Sequence, residues 1–190
     1  MPFTQRSRAA RDAILAAARR RFTHEGFERT TIRLVAADAG VDPSMVMRYY
    51  GSKEGLFSAA LGVDLRLPDP AGVPQSELGA MLARHFVKVW EADPADETVL
   101  ILLRSSVSHP GAAGRIREMF SEQVVPLVRE ATEDAPDAET RAGLVSTHLL
   151  GTALCRYVLR LPPVVAMDAD TLVATLTPVL QRFFTEPLTG

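Results

Sequence analysis

The stretch that most limits what this chain can fold into covers residues 32–56, IRLVAADAGVDPSMVMRYYGSKEGL. Val35, Ala36 and Ala39 recur at the spacing of one helical face, and the small side chain of Ala36 lets a second helix pack closely. Gly40 follows, where the chain can turn with a positive φ that a side chain would penalise. The pattern therefore predicts a short helix that ends in a tight turn.

A second short helix is predicted directly after this turn. Pro43 suits its first turn, because the missing N–H of proline would be unpaired there in any case. Val46 and Tyr50, four residues apart, are expected to face the core. The outward face then carries Ser44, Met45, Met47 and Arg48. This spacing is typical of a helix-turn-helix, whose second helix enters the major groove of DNA.

The sign of the charge changes along the chain. The 190 residues carry a net charge of −2. Residues 1–60 hold ten Lys or Arg side chains against six Asp or Glu, a balance of +4, whereas residues 61–190 hold eleven against seventeen, a balance of −6. A basic head on an acidic body fits a DNA-binding module joined to a part that does not touch DNA.

The reactive residues do not form the pattern of an enzyme. A single cysteine, Cys155, excludes an internal disulfide and a cysteine-rich zinc site. The four histidines lack metal-ligand spacing, and the chain has neither a nucleophile elbow nor a phosphate loop. We therefore expect no catalytic residue, no metal and no cofactor. With no bilayer-length apolar stretch and no apolar core in the opening MPFTQRSRAAR, we expect a cytoplasmic protein.

The remainder of the chain predicts helices only, so the expected fold class is all-α. The Pro/Gly-rich segment RLPDPAGVPQ, residues 66–75, marks a break, and we divide the chain into domains 1–62 and 63–190. Further helices are predicted over residues 76–93, 98–108, 111–133, 137–160 and from 169 onward.

Three local features qualify these helices. The run VLILL makes the helix at 98–108 apolar on every side, so we expect it to be buried all round. Pro126 is expected to break or kink the helix at 111–133, since it removes one helical hydrogen bond. The last helix is expected to carry an apolar side, formed by Leu172, Leu176, Val179, Leu180 and Phe183.

Two groups of motifs resemble a known family. FTHEGFERTTIRLVAADAGV and YYGSKEGLF, in this order and spacing, make residues 8–62 resemble the DNA-binding domain of TetR-type transcriptional repressors. LLRSSVSHPGAA, YVLRLPPVVAMDADTLV and PVLQRFF are similar to the ligand-binding and dimerisation domain of one TetR subgroup. The resemblance implies a three-helix, helix-turn-helix DNA-binding domain followed by a helical effector-binding and dimerisation domain.

The resemblance also implies a function. It indicates a repressor that binds a palindromic operator as a homodimer, paired through its last two long helices, and that a small hydrophobic ligand releases from DNA. The wide apolar faces of those helices permit such pairing, but the residues alone are equally compatible with a core inside one chain. Two other possibilities stay open: a DNA-binding protein governed by a partner protein or by concentration, and a helical scaffold that does not bind DNA.

Geometry and the resemblance together assign the DNA contacts. Arg48 can pair with guanine through two hydrogen bonds, and Met45 or Met47 can contact a thymine methyl group. Tyr49 and Lys53 are placed for phosphates; a lysine in the first turn of a helix opposes the helix dipole unless an anion lies in front of it. The complete predicted set is Thr31, Arg33, Asp42, Pro43, Ser44, Met45, Met47, Arg48, Tyr49 and Lys53. Met47 stands where a tyrosine is common in the family, so the operator sequence cannot be inferred from relatives.

An effector pocket is expected inside the second domain. Its candidate lining residues are Met81, His85, Phe86, Trp90, Leu103, Met119, Phe120 and His148. These side chains are mostly apolar, which favours a hydrophobic or aromatic small molecule. A stripe of Met and aromatic residues at helical spacing is also typical of plain core.

Overall fold

A computed structural model describes residues 5–62, 64–91, 98–107 and 110–188 of the chain. Within these residues the regular structure is helical and contains no strand, which confirms the all-α fold class. The α-helices are α1 (Gln5–Arg29), α2 (Ile32–Ala39), α3 (Pro43–Tyr50), α4 (Lys53–Ala60), α5 (Leu78–Glu91), α6 (Thr98–Ser105), α7 (Pro110–Met119), α8 (Val125–Ala131), α9 (Ala138–Ala153), α10 (Pro162–Val165) and α11 (Ala169–Thr185). A 3₁₀ turn (Gln75–Glu77) precedes α5, and π-helices follow α7 (Phe120–Val124) and α9 (Leu154–Val158).

The contacts divide the chain into two compact units. The first comprises Met1–Val63 and Glu97–Ile116, and the second comprises Asp64–Asp96 and Arg117–Gly190. Residues Glu97–Ile116 thus group with the amino-terminal helices by their contacts. The functional division into domains 1–62 and 63–190 stays a prediction, since compactness alone does not assign a function to either part.

The first unit is built around α1. Helices α2, α4 and α6 pack against α1, and α3 packs against α2 and α4. The fully buried side chains include Ile14, Ala18, Phe22, Val35, Ala36, Val46, Leu56, Phe57, Ala60 and Leu61. Burying this apolar surface stabilises helices too short to persist alone in water.

The turn between α2 and α3 has the predicted form. Gly40 adopts φ 66°, ψ 32°, and its N–H donates to the carbonyl of Ala37 at 3.2 Å. The N–H of Val41 donates to the carbonyl of Ala36 at 3.0 Å, so the turn provides donors for two carbonyls in the last turn of α2. Pro43 is the first residue of α3, as expected. The helix-turn-helix predicted from the sequence is confirmed.

The second unit centres on the pairing of α5 with α11. Gly79 of α5 permits the close approach, because a Cβ built there would lie 2.6 Å from both the Thr177 carbonyl oxygen and the Gln181 backbone nitrogen. Helix α9 packs against α8 and α11. Arg141 is only 9% exposed, and its Nη1 donates to the carbonyl of Phe183 at 2.7 Å. This hydrogen bond gives a backbone carbonyl in the last turn of α11 a partner.

One expectation about these helices was wrong. Helix α6 is not buried all round: Ile101 and Leu102 are buried, while its other apolar residues are half-buried, because the chain covers one side of the helix. On α11, Leu172, Leu176, Leu180 and Phe184 are buried, and Val179 and Phe183 of the predicted side are half-buried. Residues 92, 93 and 108, the ends of two predicted helices, lie outside the described residues.

Pro126 is accommodated by a change of helix type. It lies in the first turn of α8, directly after the π-helix Phe120–Val124. The N–H of Val125 donates to the carbonyl of Phe120, five residues earlier, so the wider turn maintains backbone hydrogen bonding up to the proline. The predicted break takes the form of a wide turn.

Candidate nucleic-acid interface and effector site

One face of α3 is open to solvent. Ser44, Met47 and Arg48 are exposed, and Met47 retains 44% of its accessible surface. Met45 was expected on this face but is half-buried. It lies one helical turn before Tyr49, which is also half-buried, and both residues border the side of α3 on which Val46 faces inward. The exposed face offers a cation, a hydroxyl and an apolar surface, which are the groups that read base edges in a major groove.

Thr31 and Asp42 are the N-caps of α2 and α3. Thr31 Oγ1 accepts from the N–H of Leu34 at 3.2 Å, which leaves the hydroxyl proton able to donate to an outside acceptor. Asp42 Oδ1 accepts from the N–H of Ser44 at 2.8 Å, and hydrogen bonds from the Ser44 side chain and from this N–H hold the pKa of Asp42 below its usual range. A carboxylate cannot bind phosphate, so a DNA contact by Asp42 would require a donor such as the cytosine amino group. Arg33 is exposed and Pro43 is half-buried.

Tyr49 lies among positive charges. Its hydroxyl is 3.2 Å from Ser7 Oγ, and the guanidinium carbons of Arg48 and Arg11 lie 5.2 and 5.3 Å from its ring centroid. The Ser7 hydrogen bond and the nearby guanidinium groups hold the pKa of Tyr49 below its usual value. Ser7 is absent from the sequence-based set, since no local spacing links residues that are 42 positions apart.

Lys53 lies at the start of α4, beside the end of α1. Its Nζ is 3.3 Å from the carbonyl oxygen of Glu28 and 4.2 Å from the centroid of the Phe27 ring. Ser52 caps α4, with Oγ accepting from the N–H of Gly55 at 3.0 Å. The ammonium therefore has a defined position at the start of a helix.

The eight effector candidates divide among several helices. Met81, His85, Phe86 and Trp90 follow one another along α5, and Phe86 and Trp90 contact each other with centroids 5.9 Å apart. Met119 ends α7, where it is buried, and Phe120 begins the π-helix. His148 of α9 packs against Phe183, with centroids 5.1 Å apart. Leu103 belongs to the first compact unit. Their assembly into one pocket stays a prediction.

An aromatic cluster extends from the α5 candidates to the π-helix after α9. The Tyr157 ring stacks on Trp90, with centroids 4.8 Å apart and planes 5° apart. Tyr157 donates its hydroxyl to Glu91 Oε1 at 3.0 Å, and Arg156 Nη2 donates to the same oxygen at 2.8 Å. Burial and the adjacent carboxylate raise the pKa of Tyr157 to about 12. The sequence-based set missed Tyr157, Glu91 and Arg156, because the contacts join residues 65 or more positions apart.

His85 is the titratable group among the α5 candidates. Its Nε2 lies 2.8 Å from the carbonyl oxygen of Leu65, and because a carbonyl only accepts, Nε2 carries the proton. Burial lowers the pKa of His85, so the imidazole is neutral at pH 7. A neutral imidazole with a protonated Nε2 presents Nδ1 as an acceptor.

No group of three or more His, Cys, Asp or Glu side chains in the ranges given above is placed to hold a metal ion. In the same ranges, every helix is either too short or too polar to cross a membrane.

Comparisons with known proteins identify the family. The model described as "Bacterial regulatory proteins, tetR family" matches residues 14–60, and "Tetracyclin repressor-like, C-terminal domain" matches residues 76–184. The chain belongs to the TetR family. This TetR-family protein is a DNA-binding transcriptional regulator and not an enzyme.

Solved structures share its fold. A TetR-family regulator from Streptomyces coelicolor A3 is 30% identical, with TM-score 0.67, and the match covers 98% of this chain and 100% of the other. GusR from Salmonella enterica is 21% identical, with TM-score 0.68 and coverage of 90% and 95%. The multidrug binding protein EbrR, complexed with malachite green, is 23% identical, with TM-score 0.66 and coverage of 94% and 98%. No curated protein matches the chain.

Proposed function

We propose that this TetR-family regulator is a cytoplasmic repressor that binds a palindromic operator as a homodimer and is released by a small hydrophobic molecule. The observation that carries the proposal is the exposed face of α3, which presents Ser44, Met47 and Arg48, together with the exposed cap Thr31 at the start of α2. In a helix-turn-helix, that face of the second helix reads base edges while the flanking hydroxyls and cations hold phosphates.

In this proposal, different residues read the DNA bases and bind the backbone phosphates. Arg48 reads a base, because its guanidinium lies on the exposed face of α3. Lys53, at the first position of α4, and Tyr49, beside two guanidinium groups, hold phosphates. Thr31 donates its hydroxyl to a phosphate from the start of α2. Arg33, Asp42, Pro43, Ser44, Met45 and Met47 complete the proposed contact set.

Selection of bound duplexes from a random DNA pool tests the operator. We expect an imperfect palindrome whose half-sites are centred about one helical turn apart, roughly 34–36 Å, or a multiple of it. Tight binding to a lone half-site by the selected protein would contradict the proposal. Transcription from a promoter carrying the selected site then distinguishes a repressor from an activator.

Exposed apolar residues support the dimer. The segment of sequence that joins the two long carboxy-terminal helices α9 and α11 carries four exposed apolar residues, Leu154, Leu159, Leu161 and Val165. Leu159 keeps 58% of its surface accessible. A second copy that packs along residues 137–185 would cover part of this apolar surface and gain its burial energy.

Light scattering at micromolar concentration tests this interface. We expect a dimer for the unaltered protein and dissociation for the double variant Leu159→Glu, Val165→Glu, because two buried carboxylates are costly. Val107→Glu is the matched control: Val107 is 94% exposed and lies outside residues 137–185, so that variant should stay dimeric. A monomeric parent protein would overturn the proposed assembly.

The aromatic cluster on α5 supports a hydrophobic effector. Phe86, Trp90 and the stacked Tyr157 offer flat apolar surfaces, and His85 beside them offers one directional acceptor. Such a combination suits an apolar molecule with few polar groups. The remaining proposed lining residues are Met81, Leu103, Met119, Phe120 and His148.

Binding of a probe tests the effector. Malachite green, the compound in the EbrR complex, is the first probe, and mass spectrometry of the purified protein checks for a molecule carried through isolation. We expect the probe to raise the melting temperature and to weaken operator binding. Because coupling is reciprocal, saturating operator must weaken probe binding by the same factor. Probe affinity unchanged by operator would contradict ligand-controlled release, and a Trp90→Ala variant should lose probe affinity without losing operator affinity.

A further inference from the structure

The ammonium of Lys53 is held by two groups from the end of α1. Its Nζ lies 4.2 Å from the centroid of the Phe27 ring, within the distance at which a cation is attracted to an aromatic face. It also donates to the carbonyl oxygen of Glu28 at 3.3 Å. An ammonium has three N–H donors, so one used by the carbonyl and one facing the ring leave a third for another acceptor.

The Phe27 ring is held in turn by two other aromatic rings. Gly26 adopts φ 74°, ψ 176°, which interrupts α1 and turns Phe27 back onto the helix. Phe27 packs edge-on against Phe57, with centroids 5.1 Å apart, and lies parallel to Phe22 at 6.0 Å. Phe22 and Phe57 are buried, with 1% and 2% of their surfaces exposed. The ring that contacts Lys53 is therefore anchored to the core of the first unit.

We infer that Phe27 is a positioning residue for DNA binding, which places the Lys53 ammonium for a backbone phosphate before DNA arrives. The inference rests on the proposed role of Lys53 as a phosphate ligand. A free lysine side chain has many rotamers, and fixing one of them on binding costs conformational entropy. A lysine held against an anchored ring has already lost much of that freedom, so its phosphate contact costs less.

A double-mutant cycle on operator DNA tests the inference. Phe27→Leu keeps an apolar side chain but removes the aromatic face, and Lys53→Met removes the charge. From the energies of exposed cation–π pairs, we expect Phe27→Leu to weaken operator binding by about two- to fivefold per subunit. In the Lys53→Met background, Phe27→Leu should have no further effect. The salt dependence of binding should be unchanged by Phe27→Leu and less steep for Lys53→Met.

Two further variants separate positioning from folding. Phe27→Tyr retains the ring and should retain most of the affinity. A fluorinated phenylalanine at position 27 keeps the shape of the side chain but weakens the negative face of the ring, so it should weaken operator binding while the melting temperature stays near that of the parent. This variant answers the question even if Phe27→Leu folds poorly.

Three outcomes would overturn the inference. If Phe27→Leu weakens binding equally with and without Lys53, then Phe27 only stabilises the fold. If Phe27→Leu strengthens binding, then the ring competes with the phosphate for the ammonium. If Lys53→Met leaves both operator affinity and salt dependence unchanged, then Lys53 holds no phosphate, and the proposed role of Lys53 fails together with the inference.

Discussion

His85 and Leu65 are joined by a hydrogen bond in which the imidazole Nε2 donates to the backbone carbonyl at 2.8 Å. The N–H of Leu65 donates to Gln123 Oε1, also at 2.8 Å. Both backbone polar atoms of Leu65 are thus bound by side chains, one from α5 and one from the π-helix Phe120–Val124. Two helices that carry proposed effector residues therefore hold the backbone of Leu65.

The His85 contact predicts how stability depends on pH. Burial lowers the pKa of His85 in the folded chain, whereas an unfolded histidine titrates near 6.5. As the pH falls through 6.5, the unfolded chain takes up a proton that the folded chain does not, so the native state loses stability. We expect the melting temperature to fall between pH 7.5 and pH 5.5, and to fall less in His85→Gln, whose amide can still donate to Leu65. Equal slopes for both proteins would show that His85 is not the titrating group.

Arg48 is expected to control specificity. Replacing it with alanine should cost about 1–3 kcal/mol on the operator and relax the preference at one base pair of each half-site. Binding to scrambled duplexes should weaken only by the loss of one charge per subunit. Titrations on both duplexes at several salt concentrations measure the difference. An unchanged ratio of operator to scrambled affinity in Arg48→Ala would assign base reading to another residue.

Tyr49 should ionise before the other two tyrosines. The Ser7 hydrogen bond and nearby guanidinium groups lower the pKa of Tyr49 below 10.0, burial raises that of Tyr50, and burial beside Glu91 raises that of Tyr157 to about 12. An absorbance titration should therefore show a first step that Tyr49→Phe removes. Tyr157→Phe should leave that first step in place. If the first step survives in Tyr49→Phe, the electrostatic account of its surroundings is wrong.

The contact at Gly79 predicts an unusual response to alanine. Alanine normally stabilises a helix interior by up to about 1 kcal/mol relative to glycine. At Gly79 the new Cβ would meet backbone atoms of Thr177 and Gln181 at 2.6 Å, so Gly79→Ala should destabilise the fold by about 1–3 kcal/mol. Gly111→Ala in α7 is the control, since no atom lies within 4 Å of its built Cβ. Denaturant unfolding measures the free energy of unfolding of both variants. It should fall in Gly79→Ala, whereas in Gly111→Ala it should rise or stay unchanged.

Features of the fold that depend on local chemistry were predictable from the sequence. Gly40 and Pro43 act through their own backbone or through neighbours within a few positions, and the structure has each in its expected role. Met45 shows the limit of this approach. Helical spacing alone separates inward from outward positions, but it does not show how far the neighbouring helices cover the stripe between them.

The partners of the site residues were not predictable. The contacts of Tyr49 with Ser7, Lys53 with Glu28 and Trp90 with Tyr157 join positions far apart in the chain, and no spacing rule relates them. The sequence also predicted α6 to be buried on all sides. A run of apolar residues does not show how many neighbouring elements are available to cover it.

The π-helix Leu154–Val158 has a geometric consequence for the residues that it carries. A π turn contains about one residue more than the α turn that it replaces. If the wide turn moved along the helix by one turn, the side chains between its old and new positions would rotate by about 100°, while both ends of the helix stayed in place. Tyr157 lies within this segment, so such a shift would separate its ring from Trp90 without unfolding the helix.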